Sequence, residues 1–167
     1  MQIDVKQGRG RVAVGPPGGP TMKIPTACTI EVTDIEPYEV DVRMEWIPEE
    51  GRLGTRRATY SALPQGESVR LANINKIALG ELLHRALETA VLGSGGWAGV
   101  VEYADGYDQM QVDALVYLLA VALDSPKPSA TVALARGMSP ASGPKRVANA
   151  RKAGLIPETE PGKASGA

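Results

Sequence analysis

The sequence predicts an α+β protein: a small antiparallel sheet packed with a helix, followed by an all-helical C-terminal helix-turn-helix module. Three observations predict it. Two runs, "TACTIEVT" (26–33) and "YEVDVRMEWI" (38–47), alternate polar and apolar residues, the period at which a strand turns successive side chains to opposite faces. Downstream, "NINKIALGELLHRALETAVL" repeats its apolar residues every three or four positions, as an amphipathic helix does. Finally, residues 129–157 read as helix, break, helix and Gly stop, with basic residues and no Asp or Glu.

Composition bounds the rest. The chain has 167 residues, 43% of them hydrophobic, which is enough for a packed core. Phe is absent, so that core is mainly Ala, Val and Leu. A formal net charge of -1 excludes a uniformly basic nucleic-acid coat. The average hides a split, however. From residue 126 onward Lys127, Arg136, Lys145, Arg146, Arg151, Lys152 and Lys163 stand against only Glu158 and Glu160. A locally basic piece on an acidic body is the footprint of a part that meets an anionic partner, or of a solvated helix face.

The chain divides on these patterns into four stretches. Residues 1–25 form an N-terminal segment whose "VGPPGGP" reads as a Gly/Pro loop or linker, with "RVAV" a short edge strand before it. Residues 26–106 form the α+β domain. "DIEP" joins its two alternating runs as a hairpin, "IPEEGRLG" breaks the pattern, and "TRRATYSAL" supplies a third strand. In the helix that follows, Asn73 or Asn75 caps the start and the "GSGG" of 93–96 acts as stop and linker. Residues 107–157 form the helical module. It opens with Asp108 as N-cap of "DQMQVDALVYLLAVALDS", a helix apolar almost all round and therefore buried in the fold or at a subunit interface. Residues 158–167 read as a disordered tail.

The sequence recommends no enzyme. His84 is the sole histidine, placed on the polar side of its helix, and Cys28 is the sole cysteine, placed in an apolar strand. A transition-metal site needs more ligands than these, and no serine sits where a nucleophile would. "LGSGGWAG" lacks the Gly-Lys-Ser/Thr ending of a phosphate loop, and Asp105, Asp108 and Asp113 do not fit a calcium loop. Glu49 and Glu50 are neighbours in a turn, where adjacent side chains diverge. Neither a catalytic residue, a metal site nor a cofactor is expected. The first ten residues carry Asp4 and no apolar stretch, so they do not read as a signal peptide, and "ALVYLLAVAL" is too short to span a bilayer. The expected location is the cytoplasm.

The C-terminal module carries the functional expectation. "ATVALAR" forms a first helix, with Ala133 small enough for a close crossing and Gly137 placed for a left-handed turn. Ser139 caps a second helix with Pro140 as its first residue, or the helix starts later, at Ser142 or Gly143, which places Pro144 in its first turn. Pro144 inside a helix begun at Ser139 would cost roughly 3 kcal/mol. Val147, Ala150, Leu155 and Ile156 turn inward, and Gly154 closes the helix. Ser142, Lys145, Arg146, Asn149, Arg151 and Lys152 are the candidate DNA-binding residues, as donors to phosphates and base edges. Arg146 and Asn149 are the candidates for base contact.

"TVALARGMSPASGPKRVANARKAGLI", with "VDALVYLLAVALDSPKPSATVA" leading in and "PETEPGKA" trailing, resembles the C-terminal helix-turn-helix of small uncharacterised proteins from actinobacterial genomes, their phages and integrative elements. The resemblance covers Asp108 to Lys163 and implies a DNA-binding module of regulatory type with no established reaction. Arg136 departs from the pattern, which has an apolar residue there, as does Arg146, which stands in place of Trp. Gly143 and Pro144 fall where the second helix is expected to be regular. The first expectation is therefore a regulatory protein that binds double-stranded DNA, as a homodimer. The alternative is a non-catalytic phage or mobile-element factor that binds a host protein through a degenerate helix-turn-helix or through the α+β domain.

Overall fold

A computed structural model describes residues 2–35, 38–62, 68–70 and 79–158. Six strands come first: β1 (Gln2–Gln7), β2 (Arg11–Val14), β3 (Met22–Pro25), β4 (Ala27–Ile35), β5 (Tyr38–Ile47) and β6 (Arg52–Ala62). Among the described residues, five helices follow: α1 (Leu79–Leu92), α2 (Gly96–Tyr103), α3 (Gln109–Ala122), α4 (Pro128–Ala135) and α5 (Gly143–Lys152). Short 3-10 turns at Gly93–Gly95 and Pro140–Ser142 precede α2 and α5. Strands then helices is the expected α+β arrangement.

The main sheet is antiparallel with order β1-β4-β5-β6, and β2 and β3 pair as a separate two-stranded ribbon. Period-two alternation sets its faces. Val40, Val42 and Met44 are buried while Glu39 and Arg43 are exposed, and Cys28, Ile30 and Val32 of β4 line up beside them. Helix α1 touches β1, and α3 touches both β2 and β6, so the helices close over the apolar face.

Three strands, β1, β3 and β6, differ from expectation. The first 25 residues contribute β1, which pairs along its whole length with β4 from Gln2↔Thr33 to Gln7↔Cys28. Strand β6 begins at Arg52 rather than Thr55, because Gly51 turns the chain at φ +63° and buried Leu53 pairs with Trp46. A register shift at Arg43/Met44 accommodates one extra residue, Arg56, on the β6 side.

Helix α1 buries Leu83, Ala86 and Leu87, as its periodicity predicts. Its expected caps, Asn73 and Asn75, lie outside the described residues. The "GSGG" stretch is more than a stop. Gly93 (φ +66°) ends α1, and the chain then re-enters a helix at Gly96. Buried Trp97, Val100 and Ala104 fall at helical spacing and anchor α2 in the core.

Helix α3 starts with a reciprocal capping box. The Asp108 carboxylate accepts from Met110 N–H, and the Gln111 side chain accepts from Asp108 N–H. Its apolar circumference is buried on nearly every side, with Leu115, Leu119 and Ala120 fully enclosed. One core runs from Val14 and Ile24 through the sheet and α3 to Val147, Ala150 and Ile156, so it is continuous across the boundary expected near residue 106.

Three helices end the same way. After α3, α4 and α5 the chain enters the left-handed region at Asp124 (φ 57°), Gly137 (φ 64°) and Gly154 (φ 72°). In each case the next residue's N–H reaches back across the last turn: Ser125 to Ala120, Met138 to Ala133, and Leu155 to Ala150, at 2.9–3.0 Å. Asp124 tolerates this backbone as a short polar residue, and its carboxylate pairs with Arg52 at 2.6 Å, tying the α3 terminus to the start of β6.

Candidate functional site

Helices α3, α4 and α5 each pack on the other two. Between α4 and α5 the chain makes a turn over 136–139 and then the 3-10 turn of Pro140–Ser142. Ser139 is extended (φ -64°, ψ 142°) but makes no side-chain cap, so the expected capping role is not seen. The 3-10 turn resolves the Pro144 problem. Gly143 N–H donates to the Pro140 carbonyl, which satisfies the acceptor that Pro144 cannot reach, and Pro144 sits in the first turn of α5.

Gly143 has a second role. A Cβ there would lie 1.9 Å from the Ser129 carbonyl oxygen, so only glycine lets the start of α5 cross the start of α4. Ala133 is fully buried.

The basic residues of α5 divide into two sets. Lys145, Ala148, Asn149 and Lys152 are exposed and share one face, at the i, i+3, i+4 and i+7 spacing of a single stripe. Val147 and Ala150 occupy the opposite, buried side. Arg146 and Arg151 flank the stripe and turn back onto α3. The Arg146 guanidinium donates to the Asp113 carboxylate at 2.8 Å, and Arg136 at the end of α4 donates to the other oxygen of the same carboxylate at 3.0 Å. Arg136 also donates to the Gln109 carbonyl at 3.0 Å. Asp113 is only 4% exposed in its side chain, so one enclosed carboxylate holds two arginines and ties all three helices together. Arg151 donates to the Tyr117 hydroxyl at 2.8 Å, with its guanidinium carbon 5.2 Å from the ring centroid. Ser142 Oγ donates to the Ser139 carbonyl at 2.8 Å.

Of the six candidate residues, Lys145, Asn149 and Lys152 therefore project from one face. Arg146 and Arg151 are committed to α3, and Ser142 closes the turn. Arg146 does not stand free as a base-contacting side chain. Arg136 and Arg146 meet on Asp113. A lone carboxylate in an otherwise apolar helix was the signal for this cluster, because such a group needs partners when buried.

A shallow cleft of about 190 Å³ lies beside the stripe, lined by Gln109, Met110, Asp113, Arg146 and Asn149. Met110, Met138 and Leu134 are exposed apolar side chains of the same three-helix unit, and Met138 Sδ lies 3.7 Å from Arg146 Nη1.

Elsewhere, His84 is not on an exposed polar face. Its side chain is 15% exposed, with Nδ1 3.2 Å from the Leu123 carbonyl and Nε2 3.4 Å from Glu88, so it bridges α1 to the end of α3. Cys28 is buried, and that burial pushes its thiol up to about 11. Among the described residues, no group of three or more His, Cys, Asp or Glu could hold a metal ion. No described helix is long and apolar enough to cross a membrane. No protein-family model, curated protein or solved structure matches the chain.

Proposed function

We propose that the chain is a regulatory protein that binds double-stranded DNA through a helix-turn-helix made of α4 and α5, with α3 as the supporting helix. The observation that carries the proposal is the stripe of Lys145, Asn149 and Lys152 on the outer face of α5. A groove-reading helix needs an apolar side that fixes it and a donor-rich side that stays free, and α5 has both. The connection from α4 to α5 runs over 136–142, and its left-handed glycine at Gly137 is the turn feature the motif uses. Ala148, small and central in the stripe, lets the helix approach a groove floor closely.

The division among the basic residues gives each a role. Lys145 and Lys152 neutralise phosphates, and Asn149 between them faces base edges. Arg146 and Arg151 hold α5 at a fixed angle on α3. The protein would act in the cytoplasm, and as a homodimer it would set two α5 helices on half-sites about one helical turn apart. The test is retention on duplex DNA from the region upstream of the protein's own coding sequence. K145E/K152E, altered only at exposed positions, should be retained far more weakly than the parent while its melting temperature stays unchanged. Equal retention by parent and variant would overturn the proposal.

One observation favours a second reading, in which the same unit docks on a protein. Leu134 is 66% exposed and Met138 43% exposed, more apolar surface than a DNA-facing corner requires. A single protein recovered on the immobilised chain after nuclease treatment, and lost with L134E, would support it.

A further inference from the structure

We infer that Asn149 is the residue that reads sequence, that it recognises adenine in the major groove, and that Arg146 takes no part in base recognition. The inference rests on the DNA-binding reading above and deepens it. The major-groove edge of adenine offers an N7 acceptor beside an N6 donor, and a carboxamide is the side chain that matches both at once. Guanine offers two acceptors, which a guanidinium matches. The only arginine on α5 near Asn149 is Arg146, and its Nε and Nη2 are both occupied by the Asp113 carboxylate at 2.8 Å. Arg136 braces that carboxylate from the other side. Releasing Arg146 would leave Asp113, 4% exposed, with one arginine fewer in an enclosed site.

The neighbours of Asn149 suit the same base pair. Its flanks on the stripe are lysines, point charges that bind phosphate without choosing a base. Ala148 beside it and Met110 across the shared cleft are exposed apolar groups, the surface that the C5-methyl of the paired thymine seeks. A target containing at least one adenine at a fixed position in each half-site is the expected result.

The experiment is selection of bound duplexes from a random-sequence library by the full chain, its N149A variant and its K145E/K152E variant. Parent-selected duplexes should share a fixed A·T pair. N149A should lose roughly ten- to a hundred-fold of its discrimination at that pair. Replacing that adenine by 7-deazaadenine, which removes the N7 acceptor, should weaken the parent and leave N149A unaffected. If the parent retains duplex and K145E/K152E retains it far more weakly, but N149A selects the same sequences as the parent, the assignment of Asn149 fails while DNA binding stands. If the selected position is a guanine lost on substituting Arg146 by Lys, the assignment fails in the same way. If the parent retains no duplex at all, both the inference and the reading beneath it fail.

Discussion

Arg146 of α5 and Asp113 of α3 meet at 2.8 Å inside the three-helix unit, and that pair fixes the helix that presents the exposed stripe. Arg136 reaches the same carboxylate from α4 at 3.0 Å. The cluster works as a polar staple among mainly apolar neighbours. Removing the shared acceptor strands two arginines whose side chains are only 18% and 23% exposed. D113A should therefore lose roughly 3–5 kcal/mol of stability, the range for breaking a buried pair by deleting one partner. D113N, which keeps an acceptor but not the charge, should lose less. Urea unfolding reads both, and a D113A midpoint equal to the parent's would show that the staple holds nothing.

Gly143 makes a sharper steric prediction. Its hydrogen occupies space that a methyl group would share with the Ser129 carbonyl oxygen at 1.9 Å. The obstacle is backbone, which cannot swing aside, so G143A should cost about 1–3 kcal/mol, as overpacking does. P144A should stay within about 0.5 kcal/mol, because Pro144 is exposed in the first turn and its missing N–H has no duty there. Thermal melts of the pair test this. The opposite ranking would mean that proline, not the helix crossing, sets where α5 begins.

Cys28 gives the fold an alkaline limit. The thiol is held up to about 11 against an ordinary 9.0 by burial in β4. Below pH 9 the thiol is protonated in both folded and unfolded chains, and its contribution is intact. Between these values the unfolded chain releases a proton that the folded chain retains, so stability falls as pH rises. The full difference amounts to roughly 2–3 kcal/mol above the folded value. Stability measured from pH 8 to 11.5 should decline less steeply in C28A than in the parent. Identical slopes would show that the thiolate is not excluded.

Much of this organisation was legible because local chemistry and tertiary structure agree. Alternation in "YEVDVRMEWI" follows the buried and exposed faces of β5, and Asp108, Gly137 and Gly154 sit at the helix ends they predict. The delayed start of α5 followed from the cost of Pro144 alone. The misses are non-local. Helix α2 was hidden behind glycines that read as a stop, although Trp97, Val100 and Ala104 keep helical spacing. His84 looked solvated on its own helix because its partner, the Leu123 carbonyl, lies 39 residues away. For the site, the sequence marks which residues are basic but not which are already engaged. Arg146 and Lys145 are adjacent and both cationic, yet one faces Asp113 and the other faces solvent.

The outer face of α5 is where the account is most directly tested. Binding of a fluorescent duplex should be measured by polarisation across a series of salt concentrations, with the parent and K145E/K152E side by side. Affinity of the parent should fall steeply with salt, and the double variant should bind more weakly with a log–log slope smaller by about two per bound protomer, one for each phosphate contact removed. A parent that binds no duplex at low salt, or a double variant with the parent's slope, would contradict it.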